Sequence, residues 1–232
     1  MIMKKLILTL LFLFTIFALS NVVNTNAEST SNNSMNEYNN RILEEKITKL
    51  EKEIYFTNLI QNIEFESEII IPNYINIKYV EYIYNIADSL KIPTRTAFRL
   101  VYTESSFVDD VISPAGARGL MQLMPGTKQA YRTLLRTDTL NLDKNQEDIY
   151  IGLNYLKDMY EFWLDRGNSV RVSWKLSLAS YNAGKGNVLE YKGVPPFKET
   201  INFVAFISKS HSNPEFLAKY SKKYDNTHKG GS

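Results

Sequence analysis

The amino-acid sequence predicts a mainly α-helical protein, and three observations carry that prediction. From about residue 41, apolar residues recur at helical spacing in one segment after another. No βαβ alternation appears anywhere. Hydrophobic residues make up 44% of the 232, enough for a packed core rather than a disordered chain.

The elements follow in order. Lys4 and Lys5 precede a largely apolar run from Leu6 to Leu19, and small or polar residues follow to Ala27. This reads as a secretory signal peptide over 1–27, with Thr25-Asn26-Ala27 as cleavage site and Ala18-Leu19-Ser20 as the rival. The run falls short of the roughly 20 residues of a membrane span, so an uncleaved anchor is the lesser alternative. Residues 28–40 are Asn/Ser-rich and predict a flexible spacer. Leu43, Ile47, Leu50 and Ile54 then recur at the four-three-four spacing of a coiled-coil seam, within a helix predicted over 41–68. The seam fades at Thr57 and Gln61, and Pro72 opens a new domain expected to run to 225. Within it the pattern predicts helices over 75–90, 94–106, from about 127, 146–164, 172–181 and 199–209. Gly184 and Gly186 are read together as closing the helix before them. The tail 226–232 is expected to be disordered.

Composition excludes several chemistries. No cysteine is present, so disulfides, thiolate catalysis and a lipid-attached N-terminus are ruled out. His211 and His228 are the only histidines and no HExxH occurs, which argues against a catalytic zinc. G-x-S-x-G is absent, and AGKGN around Lys185 lacks phosphate-loop spacing. No cofactor is implied. Charge is uneven: residues 28–71 carry 4 basic and 9 acidic side chains, and 72–232 carry 21 and 16. A mildly cationic domain suits an anionic polymer such as cell wall and is weak support for nucleic acid. Carboxylates are left for acid–base work.

One carboxylate stands out. In RLVYTESSF, Ala97, Leu100 and Val101 share a helical face, and the next position on that face is Glu104 rather than a hydrophobe. A carboxyl placed there loses hydration, which favours its protonated form and suits a general acid. The plainer reading is a buried carboxylate bonded to loop amides. Next comes SPAGARGLMQLMPGT, residues 113–127, where Gly116, Gly119 and Gly126 allow close approach of backbone to a ligand. Gln122 offers donors and an acceptor, and Met121 and Met124 could lie along a sugar face or in the core.

ESSF, SPAGARGLMQLMPGT and SYNAGKGNV (180–188), with DIYIGLNYL at 148–156 and PPFKETINFV at 195–204, closely resemble the soluble lytic transglycosylases. The resemblance spans about 78–206 and implies a lysozyme-like (goose-type, SLT) helical domain acting on peptidoglycan. It implies Glu104 as the single catalytic acid/base and Ser113, Met121, Gln122, Tyr181, Asn182 and Glu199 as substrate-groove residues. Tyr181 would lie near the catalytic carboxyl and Asn182 would bond an N-acetyl group. The family's reaction yields a 1,6-anhydro sugar without consuming water and needs no metal or cofactor. The chain departs from the family in carrying Asp148 where Asn is frequent, Val108-Asp109 for Asn-Pro and Ser180 for Ala. Asp109 and Asp110 keep a hydrolytic lysozyme open as an alternative, and a non-catalytic wall-binding adaptor is another. The seam over 41–56 suggests self-association or an envelope-machine partner. Export to the periplasm, envelope or exterior is expected.

Overall fold

The computed structural model describes residues 33–209. The expected signal peptide and C-terminal tail lie outside them. The described residues form helices α1 (Asn33–Ser67), α2 (Ile77–Ser89), α3 (Thr94–Ser105), α4 (Pro125–Leu135), α5 (Lys144–Leu164), α6 (Val170–Ala183), α7 (Lys185–Glu190) and α8 (Lys198–Ser208), with a 3-10 turn at Thr137–Thr139. Among them no strand forms; Ile112, Arg118 and Leu123 make isolated antiparallel bridges instead.

Two compact units divide at Asn58 and Leu59. In the first, α1 begins at Asn33, so the helix takes in most of the expected spacer. Residues 28–40 contain neither glycine nor proline, and a helix nucleated downstream extends through such a stretch. Leu43, Ile47 and Ile54 are half-buried and Leu50 is 46% exposed.

The second unit starts before Pro72. Leu59, Ile63, Ile69 and Ile71 are buried in its core. α5 is the central helix, and α2, α4 and α6 pack against it. Its start is fixed by a capping box missed in the sequence: the Asp143 carboxylate accepts from the amides of Asn145 and Gln146, and the Gln146 side chain accepts from the Asp143 amide. Ile149, Ile151, Leu153 and Leu156 are fully buried along it. α4 begins at Pro125, the first-turn position where a missing N–H does no harm. Gly184, at φ +84°, ends α6, but Gly186 lies inside the separate helix α7 rather than in the helix end.

Arg99 of α3 is 2% exposed and ties three elements together. Its Nε donates to the Ser67 carbonyl at 2.7 Å, Nη1 to the Phe206 and Lys209 carbonyls at 3.1 and 3.0 Å, and Nη2 to the Glu68 carboxylate at 2.8 Å. One guanidinium thus satisfies the carbonyl ends of α1 and α8 and fixes the helix that carries Glu104.

Candidate active site

Ala97, Leu100 and Val101 are completely buried, and Glu104 follows them on the same face, half-buried in the last turn of α3. The helix stops directly afterwards. Ser106 and Phe107 take left-handed conformations, φ 51° and 63°, unusual for non-glycine residues. Two contacts hold that turn: Tyr74 donates its hydroxyl to the Ser106 carbonyl at 2.6 Å, and Phe107 packs between Phe98 and Tyr102. The ESSF sequence therefore delivers the carboxyl at a fixed helix end, where the core opens.

Glu104 makes no side-chain hydrogen bond or ion pair among the described residues. Its carboxyl is pushed up to about 8, chiefly by burial and further by the negative charge of Glu199. Glu199, in the first turn of α8, accepts from Asn182 Nδ2 at 3.1 Å, and the Asn182 carbonyl oxygen accepts from Thr200 Oγ1 at 2.7 Å. The end of α6 is thereby stitched to the start of α8, with Glu104 within reach of Glu199's field.

Tyr181, also on α6, has its hydroxyl raised well above the usual phenol range by burial, with the charge of Glu104 adding to it. The hydroxyl donates to the Met121 carbonyl at 2.7 Å, so its proton braces the 109–123 loop rather than the acid. The Met121 amide donates to Asp148 Oδ2 at 2.9 Å, so the backbone of this residue is held on both sides. Of the two places open to the Met121 side chain it takes the core: it is 0% exposed and packs on Gly152 of α5, where an added Cβ would lie 2.7 Å from it. It supplies fixed backbone, and the exposed methionine is Met124. Gln122, at φ 46°, gives both amide hydrogens to the carbonyls of Val111 and Gly119, each at 2.9 Å, and keeps its oxygen free. Ser113 closes a small turn, its Oγ accepting from the Ala117 amide at 3.0 Å.

Residues 81–204, more than half of the chain, match the transglycosylase SLT domain. The chain belongs to that family. It is 34% identical over 121 residues to the soluble lytic murein transglycosylase of Escherichia coli K12, covering 50% of this chain and 17% of that one. It is 32% identical over 104 residues to the membrane-bound lytic murein transglycosylase F of Maricaulis maris, covering 45% and 21%. Among solved structures, the 70 kDa soluble lytic transglycosylase of Escherichia coli aligns with a TM-score of 0.46 at 28% identity, over 56% of this chain and 22% of that one. Lytic transglycosylase Slt of Pseudomonas aeruginosa aligns at 0.44 and 27%, over 62% and 24%. The chain thus spans less than a quarter of each relative's length.

Within this SLT domain, Asp109 and Asp110 turn to the start of α5. Asp109 accepts from Asn145 Nδ2 at 3.2 Å, and Asp110 pairs with Lys144. Neither contributes to the field that shifts Glu104, whereas Glu199 does. Asp148, noticed in the sequence only as a departure, is 2% exposed, and Lys128 Nζ lies 3.0 Å from its second oxygen. Gly119 makes room for it: at φ +79°, an added Cβ would come within 2.5 Å of Asp148 Oδ2. Ser180 also acquires a reason, since its hydroxyl accepts from Trp163 Nε1 at 2.9 Å. No set of side chains that could hold a metal ion occurs among the described residues.

Proposed function

We propose that the protein is a peptidoglycan lytic transglycosylase in which Glu104 acts alone as acid and then as base. The observation that carries this reading is a half-buried carboxyl, free of hydrogen bonds among the described residues and pushed up to about 8 by burial and Glu199. Protonated, it donates to the oxygen between N-acetylmuramic acid and N-acetylglucosamine as that bond breaks. The resulting carboxylate takes the proton of the muramic C6 hydroxyl, which attacks C1 of its own sugar and closes the 1,6-anhydro ring. An attacking group within the same sugar benefits from proximity and needs no second side chain to activate water. A group with its midpoint near the working pH serves both proton transfers, which a fully ionised carboxylate does not.

The engagement of Asp109 and Asp110 with Asn145 and Lys144 favours this reading over a two-carboxylate hydrolase. Asn182, Glu199, Ser113, the Gln122 oxygen and the Met121 backbone are the groups we assign to the glycan groove. The family assignment, the signal-peptide-like start (Lys4 and Lys5 before the apolar run Leu6 to Leu19) and the relatives' names support an envelope location. No helix among the described residues is long and apolar enough to cross a membrane. The half-exposed seam over 41–56 is a surface for self-association or an envelope partner.

The test is digestion of purified peptidoglycan with wild-type protein and Glu104→Gln. Anhydro fragments, one water lighter than hydrolytic ones, that disappear in the variant are the expected result. Reducing-end fragments would instead make the enzyme a hydrolase. Binding without any product would make it an adaptor.

A further inference from the structure

Beyond the loop that flanks Glu104 lies a cavity of about 760 Å³, within the usual range for a small-ligand site. It is lined by the 109–112 segment, α4, the 3-10 turn and the start of α5, and none of Glu104, Gln122, Tyr181, Asn182 or Glu199 reaches it. Most of its charges are already paired: Lys128 with Asp148, Arg132 with Glu147 and Lys144 with Asp110. Two are not. The side chains of Arg118 and Asp138 make no hydrogen bond or ion pair among the described residues, and Asp138 adds only a minor pull on Arg132. The lining also holds apolar residues, two of them solvent-exposed, Ile112 at 63% and Leu140 at 42%.

We infer that this cavity binds a short peptide carrying a free carboxylate, taken by Arg118, and a free ammonium, taken by Asp138, with its apolar atoms on Ile112 and Leu140. The lining decides the class. No aromatic side chain lines the cavity, so a sugar ring finds no face to stack on. Six carboxylates line it, which disfavours a nucleotide or other polyanion. A guanidinium presents a planar fork to one carboxylate. The stem peptide of a peptidoglycan strand has this chemistry, an assignment that rests on the proposed activity; a free peptide of the same kind is the other source. The cavity shares Gly119 and Asp148 with the support of the Met121 backbone, so an occupant sits against the back of the catalytic loop.

The test is titration of the full chain with the tripeptide L-alanyl-D-glutamyl-L-lysine, followed by amide shifts, in wild type, Arg118→Gln and Asp138→Asn. Both substitutions are at exposed side chains, so folding is retained, and thermal unfolding verifies it. Saturable binding is expected, weakened about tenfold by either substitution, the equivalent of one charge-assisted hydrogen bond. The tripeptide with every amine acetylated and every carboxyl amidated should not bind. Absence of binding, or equal binding by both variants, overturns the inference. Cleavage of peptide-bearing strands and of strands stripped by an amidase separates the sources. A lower KM for bearing strands in wild type, absent in the variants, assigns the stem; binding with equal KM values assigns a free peptide. Stripped strands cut normally without tripeptide binding would sink the site and leave the activity. Tripeptide binding with neither strand cut would uphold the site and sink the activity.

Discussion

Replacing Glu104 by Gln should make the protein more stable at neutral and alkaline pH while removing its activity. Burial and Glu199 move the carboxyl from its ordinary 4.5 to about 8. At about 1.36 kcal/mol per pH unit, holding that carboxyl ionised in the fold carries a penalty on the order of 5 kcal/mol. Glu104 is half-buried rather than sealed, and water on its open side screens the charge, so roughly 2–3 kcal/mol is expected. The direction follows from proton binding. Between 4.5 and about 8 the folded protein keeps a proton that the unfolded chain releases. Wild-type stability is therefore fully present below 4.5, declines through that window and changes no further from this group above it. Glutamine has nearly the same shape and does not titrate. Urea unfolding of both proteins from about pH 4 to about pH 9 should give coincident free energies at the acid end and a widening advantage for the variant. Activity on peptidoglycan should fall by about 10²–10⁴ at every pH. Unfolding free energies that run parallel across the range would show an ordinary carboxyl, and the desolvation argument would fail.

Glu199→Gln keeps an acceptor for Asn182 but removes a negative charge, so the alkaline limb of the pH–rate profile should move down; burial is the larger cause, and the move should be less than about one pH unit. An upward or absent shift would refute the coupling. Gly119→Ala places a methyl against Asp148 at a left-handed φ and should destabilise by about 2–4 kcal/mol, read as a lowered Tm with loss of activity. Asp148→Asn keeps an acceptor for the Met121 amide and frees a partly exposed Lys128, which should cost about 1 kcal/mol or less. Asp148→Ala orphans that amide and should cost about 2–3 kcal/mol. Chemical unfolding giving the opposite order would show that the ion pair, not the amide, is what matters.

Most helices were legible in the sequence because each shows a long apolar stripe, and Glu104 was legible because it interrupts one. Lys185–Glu190 was not, since six residues with a glycine among them carry too little periodicity to separate a short helix from a helix end. The capping box at Asp143 and Gln146 was available as a local signal and would have moved the start of α5 to its observed place. Met121 could not be placed by type alone, since a methionine reads the same facing a sugar or the core; Gly152, on a distant helix, makes the space it fills. Arg99 shows the limit most clearly. Its four partners lie on segments more than thirty residues away in the chain, and a buried arginine looks in sequence like any solvated one.

Three carboxyls near the loop lose water, and their partners decide what each becomes. Glu147 is held below its usual range, first by its hydrogen bond with Arg132 and also by Thr137, despite burial. Asp148 is raised by burial, but Lys128 and the Met121 amide oppose the rise. Among the described residues no cation and no donor opposes the rise at Glu104, and its charged neighbour is another carboxylate. Hydrophobic surroundings alone therefore do not make an acid here; the withholding of donors does. The same withholding leaves both Glu104 oxygens available to a sugar. The supports that an active site needs are placed on the loop opposite, where Asp148 and Tyr181 clamp Met121, and Gln122 straps the backbone. Rigidity and reactivity are thus assigned to different residues. A change that lends Glu104 an internal donor should harm catalysis more than one that loosens its packing.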